Sequence, residues 1–180
     1  MRHGPAEDMS PTGRDGDRAL TPDGRERTRS VARSLLAEGE APLTIVSSPL
    51  VRALQTAEIV AAVTELEKRV RETKSNGGAT GAVEVRREMA PGGDIHGLVM
   101  ELLRAGRKRV MIVGHEPDLS MIVAQLVGRH SEQGMTKSMV VGVKLFAPSG
   151  PVVSAATSND EVTRELRFVI DPKTLSWQRS

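Results

Sequence analysis

The segment Arg109-Val110-Met111-Ile112-Val113 constrains this chain more than any other. It is a continuous apolar run between two turn signals, Gly106 and Gly114. A strand that is half-exposed alternates apolar and polar residues; a run like this one suits a strand covered on both faces, as in a parallel sheet flanked by helices. Gly114-His115 leaves the strand, and Pro117 opens a helix whose apolar positions include Leu119, Ile122, Val123 and Leu126, closed by Gly128.

The same unit occurs earlier. Leu43-Thr44-Ile45-Val46 reads as a short buried strand, followed by Ser47-Ser48-Pro49 and a helix with Leu50, Leu54, Ala57 and Ala61 on one face. Ser48 is placed to cap that helix, which fades into the charged stretch 65–74. A first helix opens at Thr21-Pro22-Asp23 and stops near Gly39; another, capped by Asp94, runs from about Ile95 to Ala105 and is ended by Gly106. Residues 75–80 read as a turn or loop, 83–85 as a small strand, and 139–146, 152–155 and 165–170 as later strands, with Pro148-Ser149-Gly150 as a turn. The alternation predicts an α/β fold: a three-layer sandwich with a mostly parallel central sheet and helices on both faces, in one domain spanning 1–180. Sites in such sheets lie at the carboxyl ends of the strands. Ser47-Ser48 and Gly114-His115 occupy two such ends, so Arg52 and His115 fall on one rim. The polar loop from Glu7 to Leu20 is expected to border it.

Several function classes are excluded by composition. Lys and Arg outnumber Asp and Glu by only 25 to 23, and the aromatic residues are Phe146, Phe168 and Trp177, so neither charge nor base stacking supports nucleic-acid binding. With no cysteine, thiolate metal sites and cysteine nucleophiles are ruled out. No apolar run approaches the ~20 residues of a membrane span, and the polar beginning does not read as a signal peptide, so a cytoplasmic location is expected. Gly77-Gly78-Ala79-Thr80-Gly81 follows polar residues rather than a strand and is no dinucleotide fingerprint. His115-Glu116 lacks the second histidine of a zinc-protease helix, because Leu119 stands there. His96 and His130 have no evident partners and read as ordinary surface or helix residues.

Arg52 lies in the first turn of its helix, where a cation opposes the helix dipole. An anion bound at the same end removes that conflict, because backbone amides and guanidinium then both face it. The alternative is a solvated surface arginine. His115 likewise reads either as a site residue or as a satisfied polar side chain.

Taken together, Arg2-His3-Gly4, Ser47-Ser48-Pro49 with Arg52-Ala53-Leu54-Gln55-Thr56-Ala57, and Gly114-His115-Glu116-Pro117 resemble the histidine phosphatase superfamily. The spacing and the segment Glu88-Met89-Ala90-Pro91-Gly92-Gly93-Asp94 look more like its SixA-type phosphohistidine phosphatases than its phosphoglycerate mutases. Where many mutases carry an asparagine after the first motif, this chain has Met9. The resemblance implies that His3 attacks phosphorus and becomes a phosphohistidine, and that Arg2, Arg52 and His115 bind the phosphoryl oxygens. Protein cations then do the work of a metal, and no metal or cofactor is expected. Glu88 stands where the family's leaving-group acid would be; its other reading is an exposed strand-end carboxylate. The expected substrate is a phosphorylated histidine on a phosphotransfer or phosphocarrier protein. A general small-molecule phosphomonoesterase and a non-catalytic phosphate- or phosphoprotein-binding module are the alternatives.

The resemblance also implies a central strand of about five apolar residues running into Arg2-His3, which this sequence does not contain. The expectation is a truncated first strand, with Met1 an internal methionine and the apolar segment upstream of it; the alternative is a genuinely short chain with His3 on a frayed end. Weaker stability and poor activity are expected without that segment.

Overall fold

The computed structural model of the chain describes residues 1–73, 78–128, 134–146 and 163–180. The expected strand at 152–155, the turn at 148–150, His130 and residues 75–77 lie outside the described residues.

Helix α1 spans Pro22–Ala37, and the Thr21 hydroxyl caps it by accepting from the Gly24 amide at 2.9 Å. Gly39, at φ +71°, follows its end. Strand β1 is Thr44–Ser47 and helix α2 is Val51–Val63. The helix does not fade into the charged stretch as expected. Glu65 takes a left-handed conformation (φ 50°) and separates α2 from a distinct helix α3, Leu66–Glu72. Strand β2 is Val83–Val85. Helix α4, Ile95–Arg104, is capped by Asp94, which accepts from the Gly97 amide at 2.8 Å. Strand β3 is Val110–Val113 and helix α5 is Asp118–Val127, ending at Gly128 (φ +67°). Strands β4 (Val140–Phe146), β5 (Thr163–Ile170) and β6 (Trp177–Arg179) follow.

The fold is α/β, but its strands form two sheets rather than one mostly parallel sheet. One is parallel throughout, in the order β2-β1-β3; the other is antiparallel throughout, in the order β4-β5-β6. The change of direction has a local cause at β5 and β6. Only a short turn joins them, and a short link can return a chain only antiparallel. Sequence reading missed β6. Its Trp177 packs on Phe168 with ring centroids 4.8 Å apart and donates from Nε1 to Ser34 Oγ of α1 at 2.8 Å, which holds the strand down.

Residues 1–3 lie between the two sheets. The Met1 ammonium donates to Ile112 O at 2.9 Å, the Gly114 amide donates to Met1 O at 3.2 Å, and the His3 amide donates to Gly114 O at 3.1 Å. On the other side the Arg2 amide donates to Met139 O, and the Ser138 amide to His3 O, each at 3.1 Å. The expected first strand is thus present as a three-residue stub bonded to both neighbours.

Apolar packing separates along β1. Ile45 belongs to a buried cluster with Val31 and Leu35 of α1 and Ala53 and Val60 of α2. Its neighbour Val46 belongs to another, with Leu98 and Leu102 of α4 and Leu119 and Ile122 of α5. Successive residues of a strand point to opposite faces, so the two clusters are held apart by the strand itself.

Candidate active site

Three chain segments converge where Met1–His3 meets the end of β3. The bridge between Arg2 and Gly114 sets His3 beside the first residues after β3. The rings of His3 and His115 consequently approach to 5.2 Å between centroids, tilted by 50°. Gly4 fits where little else does: a Cβ there would lie 2.8 Å from Thr28 Oγ1 and 3.1 Å from Gly24 O. The close approach lets the Gly4 amide donate to Thr56 Oγ1 at 3.0 Å.

Helix periodicity explains the Arg52-Ala53-Leu54-Gln55-Thr56 pattern. Arg52 and Thr56 are four residues apart and share a face. Thr56 Oγ1 donates to Arg52 O at 2.8 Å while accepting from Gly4. Gln55 Oε1 accepts from the Leu20 amide at 2.7 Å and so fixes the end of the 7–20 loop. Arg52 itself is buried; its Nη1 donates to Asp15 O at 2.8 Å and its Nη2 to Asp15 Oδ2 at 2.9 Å. The loop expected to border the site therefore does so through Asp15.

The ring of His3 is held in one tautomer. Its Nδ1 is 2.7 Å from Gly4 O, and a carbonyl can only accept, so Nδ1 carries the proton and Nε2 keeps its lone pair. Burial pushes the His3 pKa down to about 4, and the nearby His115, Arg52 and Arg2 push the same way, against the bond to Gly4 O. His115 is also lowered to about 4, first by burial and then by Arg52. Both imidazoles are neutral at pH 7. Ser48 Oγ accepts from the Leu50 amide at 3.2 Å and lies 2.8 Å from His115 Nε2, where its hydroxyl can donate to the ring and leave the ring proton on Nδ1.

The site has spare donor capacity. Arg2 Nε, Arg52 Nε and His115 Nδ1 are all buried without a hydrogen-bond partner. Arg2 is anchored elsewhere, through Nη1 to Met135 O at 2.6 Å. Unpaired buried donors are costly, and a bound oxyanion is the ligand type that satisfies several at once.

Of the expected site residues, the structure brings Arg2, His3, Arg52 and His115 together. Glu88 has other partners. It lies on a 3-10 turn, Arg87–Met89, and its carboxylate takes Arg86 Nη2 at 2.6 Å; the same Arg86 binds Glu101 at 2.9 Å. The bonds from Arg86 hold the Glu88 carboxyl below its ordinary pKa, so it is ionised at neutral pH. Asp15 and Ser48 contact the site without having been singled out as site residues. Ser48 had a usable signal: Ser47 pairs in register with Val113, which sets the residue after each strand side by side. Asp15 had none, being one of four acids in a polar loop. Among the described residues, no group of three or more His, Cys, Asp or Glu side chains is arranged to hold a metal ion. No helix among them is long and apolar enough to cross a membrane.

A curated protein of Picosynechococcus sp., described as uncharacterized, is 33% identical over 97% of this chain and 96% of its own. The family model of the histidine phosphatase superfamily (branch 1) matches residues 1–80. The chain belongs to the histidine phosphatase superfamily. Within it the chain is SixA-like. The solved structure of the protein histidine phosphatase SixA complexed with tungstate superposes with a TM-score of 0.72 at 26% identity, over 98% of this chain and 97% of that one. The fold is also shared with the mycobacterial glucosyl-3-phosphoglycerate phosphatase, at TM-score 0.59 and 19% identity over 92% and 93% of the two chains. Membership of this superfamily, together with the likeness to a SixA phosphatase, makes the chain a phosphatase, a hydrolase with a histidine nucleophile.

Proposed function

We propose that this phosphatase removes the phosphoryl group from a phosphorylated histidine of a protein, through a phosphohistidine formed on His3. The observation that carries the reading is the state of His3: neutral, with Nδ1–H bonded to Gly4 O and Nε2 unprotonated beside two arginines. Nε2 attacks phosphorus as the substrate's P–N bond breaks, and the departing imidazole takes a proton. Water then attacks the phosphorylated His3, whose own P–N bond breaks to release inorganic phosphate. Arg2, Arg52 and His115 hold the phosphoryl oxygens during both transfers, and their spare donors stabilise charge that builds up on those oxygens. Arg52 and Arg2 also disfavour protonation of the nucleophile.

The ionised Glu88 favours phosphohistidine over a phosphate monoester. An alkoxide leaving group needs a proton donor, whereas the imidazole nitrogen of phosphohistidine is basic enough to take its proton from solvent. Glu88 as a leaving-group acid belongs to the second reading, a general small-molecule phosphomonoesterase. That reading is supported by the fold shared with the mycobacterial phosphatase. The deciding experiment offers purified protein a phosphohistidine carrier protein and a panel of phosphate monoesters. Faster turnover of the carrier supports the proposal, and faster turnover of monoesters overturns it. Covalent capture of ³²P on the wild-type chain, absent in His3→Ala, tests the nucleophile itself.

A further inference from the structure

Ser48 is fully buried, and phosphoryl transfer by His3 makes no direct use of it. It is held from several sides. Its amide donates to Val113 O at 3.0 Å, its carbonyl accepts from Ser47 Oγ at 3.0 Å, and its own Oγ accepts from the Leu50 amide at 3.2 Å. The last bond closes a serine turn around Pro49, which has no backbone N–H to offer. Helix α2 therefore takes no side-chain cap from Ser48, unlike the expectation from sequence. The hydroxyl proton is left over, and His115 Nε2 stands 2.8 Å away. We propose that Ser48 is a positioning residue: its hydroxyl fixes His115 as the tautomer protonated on Nδ1, so that this N–H donates to a phosphoryl oxygen. The role rests on the reading that His115 binds a phosphoryl oxygen, whichever compound carries it.

Unmet groups decide the tautomer. Burial lowers the His115 pKa to about 4, so at neutral pH the ring has a single proton to place. Among the described residues Ser48 Oγ has two polar partners, the Leu50 amide and His115 Nε2. An amide N–H only donates, so the ring nitrogen is the acceptor within reach of the hydroxyl proton. When the hydroxyl donates to Nε2, one buried group stays unmet, the N–H at Nδ1. When Nε2–H donates to Oγ instead, both the hydroxyl proton and a bare lone pair on Nδ1 stay unmet. Each unmet buried group costs free energy, so the first arrangement is favoured. A bound oxyanion fills the vacancy at Nδ1 and tips the balance further.

The two histidines of the site then hold the same tautomer and turn opposite sides to the substrate. His3 spends its Nδ1–H on Gly4 O and offers the Nε2 lone pair; His115 spends its Nε2 lone pair on Ser48 and offers the Nδ1–H. One ring attacks and the other donates, with centroids 5.2 Å apart. Phosphoryl oxygens present lone pairs, so His115 in the other tautomer would repel the group that Arg2 and Arg52 attract. The parallel register brings the hydroxyl to the ring: Ser47 pairs with Val113, so the residues that follow the two strands stand side by side.

Nitrogen-15 spectra of the wild-type chain at pH 7, free and with inorganic phosphate, test the tautomer without any variant. An unprotonated Nε2 and a protonated Nδ1 on His115 are expected, and the reverse pattern overturns the proposal. Calorimetric binding of inorganic phosphate reads the consequence. Ser48→Ala is expected to mix the two tautomers and to weaken binding by about tenfold. His115→Asn separates positioning from a structural role, because its amide offers an N–H close to where Nδ1 stands and has no tautomer to set. In that background Ser48→Ala should change phosphate binding by less than about twofold. An equal loss in both backgrounds would mean that Ser48 only shapes the approach to α2, and overturns the assignment. So does a Ser48→Ala chain that binds phosphate like the wild type while His115→Ala binds it weakly. If His115→Ala itself binds phosphate like the wild type, the reading of His115 falls and the role of Ser48 falls with it.

Discussion

Asp15 Oδ2 sits 2.9 Å from Arg52 Nη2, an exposed carboxylate holding a guanidinium whose side chain is only 6% exposed. Arg18 joins from the other side, 2.9 Å from Asp15 Oδ1. The arginine offered to a phosphoryl group is therefore already bound to an internal anion. The hydrogen bond from Arg52 draws the Asp15 pKa below the ordinary carboxylate value, so the carboxylate is charged at neutral pH.

Removing that charge should favour the external anion. Asp15→Asn keeps an oxygen acceptor for Nη2 but no longer competes electrostatically. Because Asp15 is largely exposed, the pair is screened, and inorganic phosphate is expected to bind only about three- to fivefold more tightly. Competitive inhibition by phosphate measures it; weaker binding in the variant would contradict a competing role.

Thr56 joins Gly4 to α2, and the Gly4 amide is buried behind it. Thr56→Val leaves that N–H without a partner and should cost about 1–3 kcal/mol. Thr56→Ser should restore most of it. Thermal unfolding ranks the three, and turnover should fall in the valine variant because His3 adjoins the freed amide.

Gly4→Ala should destabilise the chain by about 1–3 kcal/mol through crowding against Thr28 Oγ1 and Gly24 O. Thr28→Ala in the same chain removes the closer of the two contacts, so the double variant should be more stable than the sum of the single losses allows. Chemical denaturation of the four proteins closes the cycle.

Stability should rise with pH between about 4 and 6.5. His3 and His115 have folded-state pKa values of about 4 against an ordinary 6.5, so in that window the unfolded chain binds more protons. The contribution is complete above 6.5 and is lost as pH falls. The Met1 ammonium, lowered from 8.0 to about 5, extends the rise towards pH 8. Melting temperatures from pH 4 to 8 should show it, and the slope below 6.5 should flatten in His3→Ala and His115→Ala.

Glu88→Gln should leave turnover of a phosphohistidine protein within about twofold, since a carboxylate ionised by Arg86 donates no proton. Any loss confined to monoesters would assign Glu88 to the slower, alcohol-releasing reaction.

What could be seen beforehand follows from how local the causes were. The run at 110–113 announced β3 by its own hydropathy, and Thr21 and Asp94 announced their helices by capping chemistry within three residues. Arg52 and His115 were visible because each stands beside a strand end or a helix start, whereas Arg2 and His3 were legible only through the resemblance of their motif. The break at Glu65 was hidden, because nothing in the sequence there marks a left-handed residue. The split into two sheets depends on a space between β3 and β4 that only three residues enter, which is a property of the assembled fold. Asp15 became a site residue through a partner 37 positions away.

The two hydrogen bonds of Thr56 have a kinematic meaning. One hydroxyl couples the residue after the nucleophile to the carbonyl of the arginine that would grip phosphorus. A tilt of α2 would carry both in the same direction, so reach and grip would change together. In an enzyme built this way a shift of that one helix would alter the line of attack and the anion clamp together.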